Sequence, residues 1–258
     1  MKSHKGQATL CRLKKREKES DRMSPVPYKP NCISTPTIYI MDKKEFHRAN
    51  LPHYQQPGQA YFVTWNLQDA IPALALKDYS EKLSALRYGI DYAVKCNQST
   101  DYIKALKLEF NILRKKRMKA MEDLLHLENK CVVNLSKMEN TIIVHNTLCY
   151  WEGQKLKNHA ICVMPNHVHW VFELFEKDKN GNPVWLEDIM KSVKRYSATQ
   201  INLLEHKKGT LWHKESWDTT IRDNRHLYEA IEYTKNNPVM AKLVSDWKEW
   251  KGTTIFED

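Results

Sequence analysis

The 258-residue sequence is poor in glycine and has no closely spaced cysteines. Its 7 glycines exclude collagen-like and glycine-linker chains. The six cysteines form no CxxC pair, which excludes the common zinc motifs and a dense disulfide framework and is typical of reduced thiols. No apolar run approaches the roughly 18 residues that a membrane span needs, and the N-terminus has no apolar signal segment. We therefore expect a soluble, cytoplasmic protein with no membrane partner.

The sequence is rich in basic residues, and its apolar content is sufficient for a core. Hydrophobic residues make up 41% of the chain, which excludes wholesale disorder. Lysine and arginine total 41 against 31 aspartates and glutamates, so the formal net charge is +10. A polyanionic partner such as nucleic acid is the commonest explanation of such an excess.

Residues 1–50 differ in composition from the rest of the chain. Eight lysines and arginines and three acidic residues fall within residues 1–22, and four prolines follow before residue 37. This pattern predicts a basic N-terminal arm and an irregular linker. The arm is either a solvated tail or a segment that contacts nucleic acid. Residues 51–258 are expected to form the folded domain, with a helical segment over about 73–148.

The order of strand and helix patterns predicts an α+β fold. A run of β-branched and aromatic residues from Tyr61 to Leu67 predicts a strand in the interior of a sheet. In chain order we then predict helices at 77–96, 101–131 and 137–148, strands at 150–153, 157–164 and 167–175, a helix at 185–204, a short strand within 211–221, and a helix at 225–237. The last helix is expected to begin at an Asp223 or Asn224 cap and to stop at Pro238. This order indicates an antiparallel sheet with helices.

Two histidines on one predicted strand form the sharpest chemical feature. Side chains on a strand alternate between faces, so His167 and His169 project to the same side, about 7 Å apart along the strand. Two imidazoles on one face can bind one metal ion if a third ligand arrives from elsewhere in the fold. The alternative is a pair of half-buried histidines on a polar sheet face.

A tyrosine and an asparagine on the last predicted helix form the second feature. Tyr233 and Asn237 are spaced i and i+4, so the phenol and the amide share one helix face. A tyrosine beside a metal that polarises a phosphate can act as a nucleophile, and the amide oxygen can complete the metal's ligands. The alternative is that Tyr233 is a core residue and that Asn237 with Pro238 only stops the helix.

Taken together, these segments resemble the REP-associated tyrosine transposases, a branch of the single-tyrosine HUH transposases. The resemblance covers roughly residues 50–250, and its specificity comes from several short motifs in the expected order. The matching stretches are Leu51–His53, Tyr61–Leu67, Trp151–Gln154, Val163–His169, Gly209–Asp218, Ile221–Asp223 and Ile231–Ala241.

The resemblance implies an HUH endonuclease fold with a ferredoxin-like or RRM-like core, and a specific reaction. Enzymes of this family cut single-stranded DNA near hairpin-forming, REP-like palindromes through a 5′-phosphotyrosine intermediate, using Mg²⁺ or Mn²⁺. His167 and His169 match the family's metal ligands, Asn237 matches the third ligand, and Tyr233 matches the nucleophile. The protein is then expected to be a transposase, to associate with the nucleoid, and to be a monomer or a homodimer.

Three alternatives stay open from the sequence. Tyr196 with Gln200 is a second i, i+4 pair, although the family's motif order favours Tyr233. Lys191, Lys194 and Arg195 beside it are either phosphate contacts or ordinary surface charges. In place of a transposase, the chain could be a domesticated protein that binds single-stranded or hairpin DNA without cleaving it.

Overall fold

The structure is a computed structural model, and it describes residues 46–48, 52–72, 74–127 and 131–256. All of these residues belong to one compact unit, Met41–Asp258. The predicted basic arm, apart from residues 46–48, lies outside the described residues, so its role stays a prediction. None of the helices in the described part is long and apolar enough to cross a membrane.

The chain contains both strands and helices, and neither type alternates regularly with the other. In chain order the elements are β1 (Phe46–Arg48), β2 (Pro52–Tyr54), β3 (Ala60–Asn66), α1 (Lys77–Lys95), α2 (Thr100–His126), α3 (Met138–Cys149), β4 (Leu156–Val163), β5 (His167–Leu174), α4 (Leu186–Leu204), β6 (Trp217–Thr220), α5 (Asn224–Met240), a 3-10 helix (Trp247–Glu249) and β7 (Thr253–Ile255).

The main sheet has five antiparallel strands in the order β6-β3-β5-β4-β7, and β1 pairs with β2 as a separate hairpin. The predicted α+β fold with an antiparallel sheet and helices is therefore confirmed. Strand β5 lies at the centre, between β3 and β4. In the register of β3 with β5, Asn66 is opposite His167 and Thr64 is opposite His169. The two histidines thus project from the middle of the sheet.

The two faces of the sheet differ in what covers them. Val168, Trp170 and Phe172 alternate to one face and are fully buried in the main hydrophobic core. Burying a large side chain of this kind contributes roughly 1.5–3 kcal/mol relative to leaving it exposed. Buried residues of α3 and α4 complete that core: Val144, Leu148, Ile189, Val193 and Ile201. The opposite face, which carries the two histidines, is packed against α5 through Val171, Ala230 and Ile231.

Two predicted elements differ from the structure, each for a local reason. Residues 150–153 form a turn and not a strand, because α3 continues to Cys149 and Gly153, at φ +67°, reverses the chain into β4. Helix α2 ends at His126, five residues before its predicted end. The remaining predicted helices and strands are found within about two residues of their expected bounds, apart from the end of α5.

Helix α5 begins as predicted but continues through Pro238. Asp223 caps it by accepting a hydrogen bond from the His226 N–H at 2.8 Å. The prediction that Pro238 stops the helix is wrong, since α5 ends at Met240. A proline this close to the C-terminus removes only one hydrogen bond, and the last turn is closed by the Ala241 N–H to the Asn237 carbonyl at 2.9 Å. Asn237 therefore remains helical, one turn after Tyr233.

Candidate functional site

His167 and His169 meet at their ring edges on the α5 side of the sheet. Their Nε2 atoms are 3.0 Å apart, and their ring centroids are 4.7 Å apart. His167 has no exposed surface, and His169 is almost completely buried. The predicted common face is confirmed, but both rings are enclosed and do not lie on a half-buried polar surface.

The hydrogen bonds around His167 fix its tautomer. The Asn166 amide nitrogen donates to the Leu125 carbonyl at 3.0 Å, so the Asn166 amide oxygen must be the atom that faces His167. That oxygen lies 2.6 Å from His167 Nδ1, and an amide oxygen can only accept. His167 therefore carries its proton on Nδ1, and its Nε2 lone pair points at His169. This is the arrangement in which a histidine binds metal through Nε2.

His169 can present either a proton or a lone pair at Nε2. Its Nδ1 lies 2.8 Å from the Thr64 hydroxyl, which can donate or accept. When Thr64 donates, His169 Nε2–H donates to His167 Nε2. When Thr64 accepts, both Nε2 lone pairs converge on one point. A shift of the His169 proton from Nε2 to Nδ1, together with rotation of the Thr64 hydroxyl, thus converts the histidine–histidine hydrogen bond into a pair of converging lone pairs.

Both rings are held in the neutral form. Burial, followed by the nearby His169 and His126 rings, lowers the pKa of His167 well below its ordinary value. Burial, followed by His126, lowers the pKa of His169 to about 3. A hydrogen bond with Asn237 acts in the opposite direction on both. At neutral pH the imidazoles carry no charge, as metal ligands require.

Tyr233 and Asn237 come from α5 and lie directly against the two histidines. The Tyr233 ring stands edge-on to His169, with centroids 5.5 Å apart, and edge-on to Phe62 at 5.6 Å. Asn237 has no exposed surface. Among the described residues, neither the Tyr233 hydroxyl nor the Asn237 amide nitrogen has a hydrogen-bond partner, although both atoms are buried. Unsatisfied buried polar groups cost free energy and commonly mark a place where a ligand binds.

His126 is a fifth site residue that the sequence reasoning missed. It is the last residue of α2, and its Nε2 lies 3.3 Å from the Asn237 amide oxygen. Its ring centroid is 6.0 Å from that of His167. No motif spacing relates His126 to the other four residues, so only the tertiary structure identifies it.

The site is enclosed by the C-terminal half of α2. A cavity of about 50 Å³ beside His169 is lined on the sheet side by Phe62, Thr64, Trp217 and Thr219, and on the α2 side by Met118, Met121, Glu122 and Leu125. In this conformation His167 and His169 are almost completely buried, so neither ring is open to a large ligand.

The donor atoms fit a metal ion of moderate hardness. Within the described ranges, no group of three or more His, Cys, Asp or Glu side chains is placed to hold a metal. The candidate set is instead two imidazoles and one amide oxygen. The 3.0 Å between the two Nε2 atoms matches the roughly 3.0 Å between adjacent ligands whose bonds to one ion are about 2.1 Å. Imidazole nitrogens by themselves suit Zn²⁺, Cu²⁺ or Fe²⁺, whereas an amide oxygen suits Mg²⁺ or Mn²⁺, so the choice of Mg²⁺ or Mn²⁺ stays a prediction of the family resemblance.

The basic residues predicted to contact DNA lie on α4 in different environments. Lys191 and Arg195 are exposed. Lys194 donates through Nζ to the carbonyls of His213, Lys214 and Glu215 at 3.0–3.3 Å, and burial lowers its pKa to about 8. A contact between Lys194 and DNA stays a prediction, but in this structure its ammonium group ties α4 to the segment before β6.

Tyr196, the alternative nucleophile, is also on α4. Its side chain is 58% exposed. The two predicted metal ligands of β5 are buried on the α5 side of the sheet, whereas α4 contributes to the core on the other side. The structure therefore brings Tyr233, and not Tyr196, to the histidine pair.

Comparison with known proteins gives one sequence relative and one structural likeness to report. No family model matches the chain. A protein of Haemophilus influenzae named "Putative REP-associated tyrosine transposase" is 24% identical over 106 residues, which are 38% of this chain and 58% of that protein. The chain thus spans little more than half of the length of that relative. A solved structure described as "Structure of the REP associates tyrosine transposase bound to a REP hairpin" superposes with a TM-score of 0.46 at 13% identity, over 80% of this chain and 82% of the other.

Proposed function

We propose that the protein is a transposase of the REP-associated tyrosine type: a metal-dependent endonuclease and strand transferase that acts on single-stranded DNA near hairpin-forming palindromes. The observation that carries this proposal is the meeting of Tyr233 with His167, His169 and Asn237 at one buried point between β5 and α5. The similarity to the Haemophilus influenzae protein supports the same family. Formation of a covalent adduct with single-stranded DNA from the flanks of its own gene is the experiment that tests the proposal.

The proposed reaction exchanges one phosphoester for another. The Tyr233 oxygen attacks the scissile phosphorus, the bond from phosphorus to the 3′ oxygen breaks, and the 3′-OH takes up the proton that the phenol loses. The product is a 5′-phosphotyrosine and a free 3′ end. An incoming 3′-OH reverses the step, and because the phosphotyrosine conserves the bond energy, strand transfer needs no ATP.

The residues proposed to hold the metal are His167 and His169 through Nε2 and Asn237 through its amide oxygen. A bound Mn²⁺ or Mg²⁺ supplies Lewis-acid polarisation of the scissile phosphate. The chain's own residues position these groups. Asn166 orients the His167 ring, Thr64 orients the His169 ring, and α5 holds Tyr233 beside them. The Asn237 amide nitrogen and the Tyr233 hydroxyl, which are buried and have no partner among the described residues, would contact a phosphate once the site opens.

Replacement of Asn237 by alanine removes one of the three proposed ligands. We expect Asn237→Ala to lower the cleavage rate at limiting Mn²⁺ by about tenfold to a hundredfold, with partial recovery at high Mn²⁺. The matched control is Asn236→Ala, because Asn236 is the preceding residue on α5 and, within the described residues, its amide donates to Glu232 alone. Equal loss in both variants, or no recovery of Asn237→Ala with Mn²⁺, contradicts a ligand role for Asn237.

Binding to single-stranded DNA should depend steeply on salt, because counterions are released from each neutralised phosphate. Each phosphate contact contributes a slope of about −0.7 in log K against log [salt] for a single strand. The double variant Lys191→Gln/Arg195→Gln is expected to reduce the slope by about 1.4, measured by fluorescence anisotropy between 50 and 200 mM salt. Lys104→Gln, another exposed lysine, should leave it unchanged. An unaltered slope in the double variant would mean that the DNA does not contact Lys191 and Arg195.

The enclosure of the site is the one observation that favours a second function, hairpin or single-stranded DNA binding without cleavage. In this conformation His167 and His169 are almost completely buried, so neither ring is exposed to a DNA strand. The two functions differ in one product: a non-cleaving protein binds the same DNA but gives no covalent adduct at any concentration of Mn²⁺ or Mg²⁺.

A further inference from the structure

The end of α2 contacts one proposed metal ligand, Asn237, directly and a second, His167, through Asn166. Leu125 supplies the carbonyl that fixes the Asn166 amide, and that amide fixes the tautomer of His167. The next residue, His126, lies 3.3 Å through Nε2 from the Asn237 amide oxygen. Two consecutive residues of one helix turn therefore reach both the histidine strand and α5.

The last turn of α2 is packed against the sheet by buried side chains. Met121 and Leu125 are buried and belong to the main hydrophobic core. Arg117, one turn earlier, places its guanidinium 5.2 Å from the centre of the Trp217 ring. These contacts fix α2 against the sheet, so the position of His126 is set by core packing.

The hydrogen bond between His126 and Asn237 sets the direction of the amide. An amide oxygen accepts, so His126 must donate its Nε2–H. This bond uses one lone pair of the Asn237 oxygen and leaves the other for a second partner, and Asn237 also acts on the pKa of His167 and of His169. Without His126, the Asn237 side chain could turn by 180° and present its amide nitrogen, which cannot bind a cation.

We propose that His126 is a positioning residue of the metal site: it holds the Asn237 amide oxygen toward His167 and His169. This inference rests on the proposed function, because it assumes that Asn237 is a ligand. The proposal gives His126 no direct bond to the metal, because in the described part of the chain it does not form a three-residue metal-binding group with His167 and His169. Partners of this kind typically change metal affinity by 10–100-fold when they are lost.

The test is the affinity of the purified, DNA-free protein for Mn²⁺, measured by electron paramagnetic resonance of the free ion. His126→Leu is expected to raise the dissociation constant by about 10–100-fold. His126→Gln is expected to stay within about threefold of the wild type, because the glutamine amide nitrogen occupies the place of Nε2 and still donates. His145→Leu is the matched control: His145 is also half-buried and bonds Thr254 outside the site, and its loss should leave Mn²⁺ affinity unchanged.

The possible results distinguish a failure of the positioning role of His126 from a failure of the proposed metal site. Wild-type affinity in His126→Leu, or equal losses in His126→Leu and His126→Gln, overturns the positioning role and leaves the metal site intact. If His126→Leu does not fold, His126→Asn replaces it, because that amide is too short to reach Asn237 and should lose affinity as well. If the wild type binds no Mn²⁺, or binds it equally after His167→Ala, the metal site itself is wrong.

Discussion

Tyr233→Phe is expected to abolish both strand cleavage and the covalent protein–DNA adduct, while DNA affinity and the fold are retained. The substitution removes one oxygen and keeps the ring, so the edge contacts with His169 and Phe62 persist. The hydroxyl is buried and has no hydrogen-bond partner among the described residues. Its removal should therefore stabilise the free protein slightly, by up to about 1 kcal/mol in urea unfolding.

The matched control is Tyr196→Phe, which removes the same atom from the exposed tyrosine on α4. This variant should keep cleavage and the adduct at or near wild-type levels. Survival of the adduct in Tyr233→Phe together with its loss in Tyr196→Phe would reverse the assignment of the nucleophile.

Removal of divalent metal is expected to stop cleavage completely. Excess EDTA should abolish product formation, and Mn²⁺ should restore it after dialysis. The reason is that the neutral, buried histidines cannot themselves stabilise charge on a phosphate, whereas a cation on their converging Nε2 atoms can. Undiminished cleavage in excess EDTA contradicts the metal assignment.

Metal binding can also be measured without DNA, from its effect on the stability of the protein. A ligand that binds only the native state raises stability by RT ln(1 + [L]/Kd), or about 2.7 kcal/mol at a hundredfold excess over Kd. Mn²⁺ should therefore raise the thermal midpoint of the wild type, and this gain should vanish in His167→Ala. His145→Ala, a histidine outside the site, should keep the gain.

Local patterns were sufficient to predict which side chains share a face. The alternation of a strand places His167 and His169 together, and the i, i+4 spacing of a helix places Tyr233 beside Asn237. The structure keeps Asn237 on α5 even though Pro238 was expected to end the helix. That both pairs meet depends on how α5 lies on the sheet, which no local pattern encodes. Only the family resemblance led to that expectation.

The parts of the site that could not be predicted come from long-range packing. His126 and Asn237 are separated by 111 residues, and their contact depends on where α2 ends and how Met121 and Leu125 are buried. The hydrogen bonds from Lys194 to three backbone carbonyls likewise depend on the path of residues 213–215. The positive charge of Lys194 in the sequence therefore could not distinguish it from the exposed Lys191 and Arg195. The enclosure of the histidines also has no counterpart in the sequence.

The most direct measurement of the central claim is the mass-spectrometric mapping of the covalent adduct. Wild-type protein is incubated with Mn²⁺ and single-stranded DNA from the flanks of its own gene, the DNA is trimmed with a nuclease, and tryptic peptides are fragmented. Cleavage after Arg225 and Lys235 yields a peptide with two tyrosines, Tyr228 and Tyr233. The account predicts a nucleotide phosphate on Tyr233 alone. A nucleotide on any other residue, or cleaved DNA with no modified peptide, contradicts it.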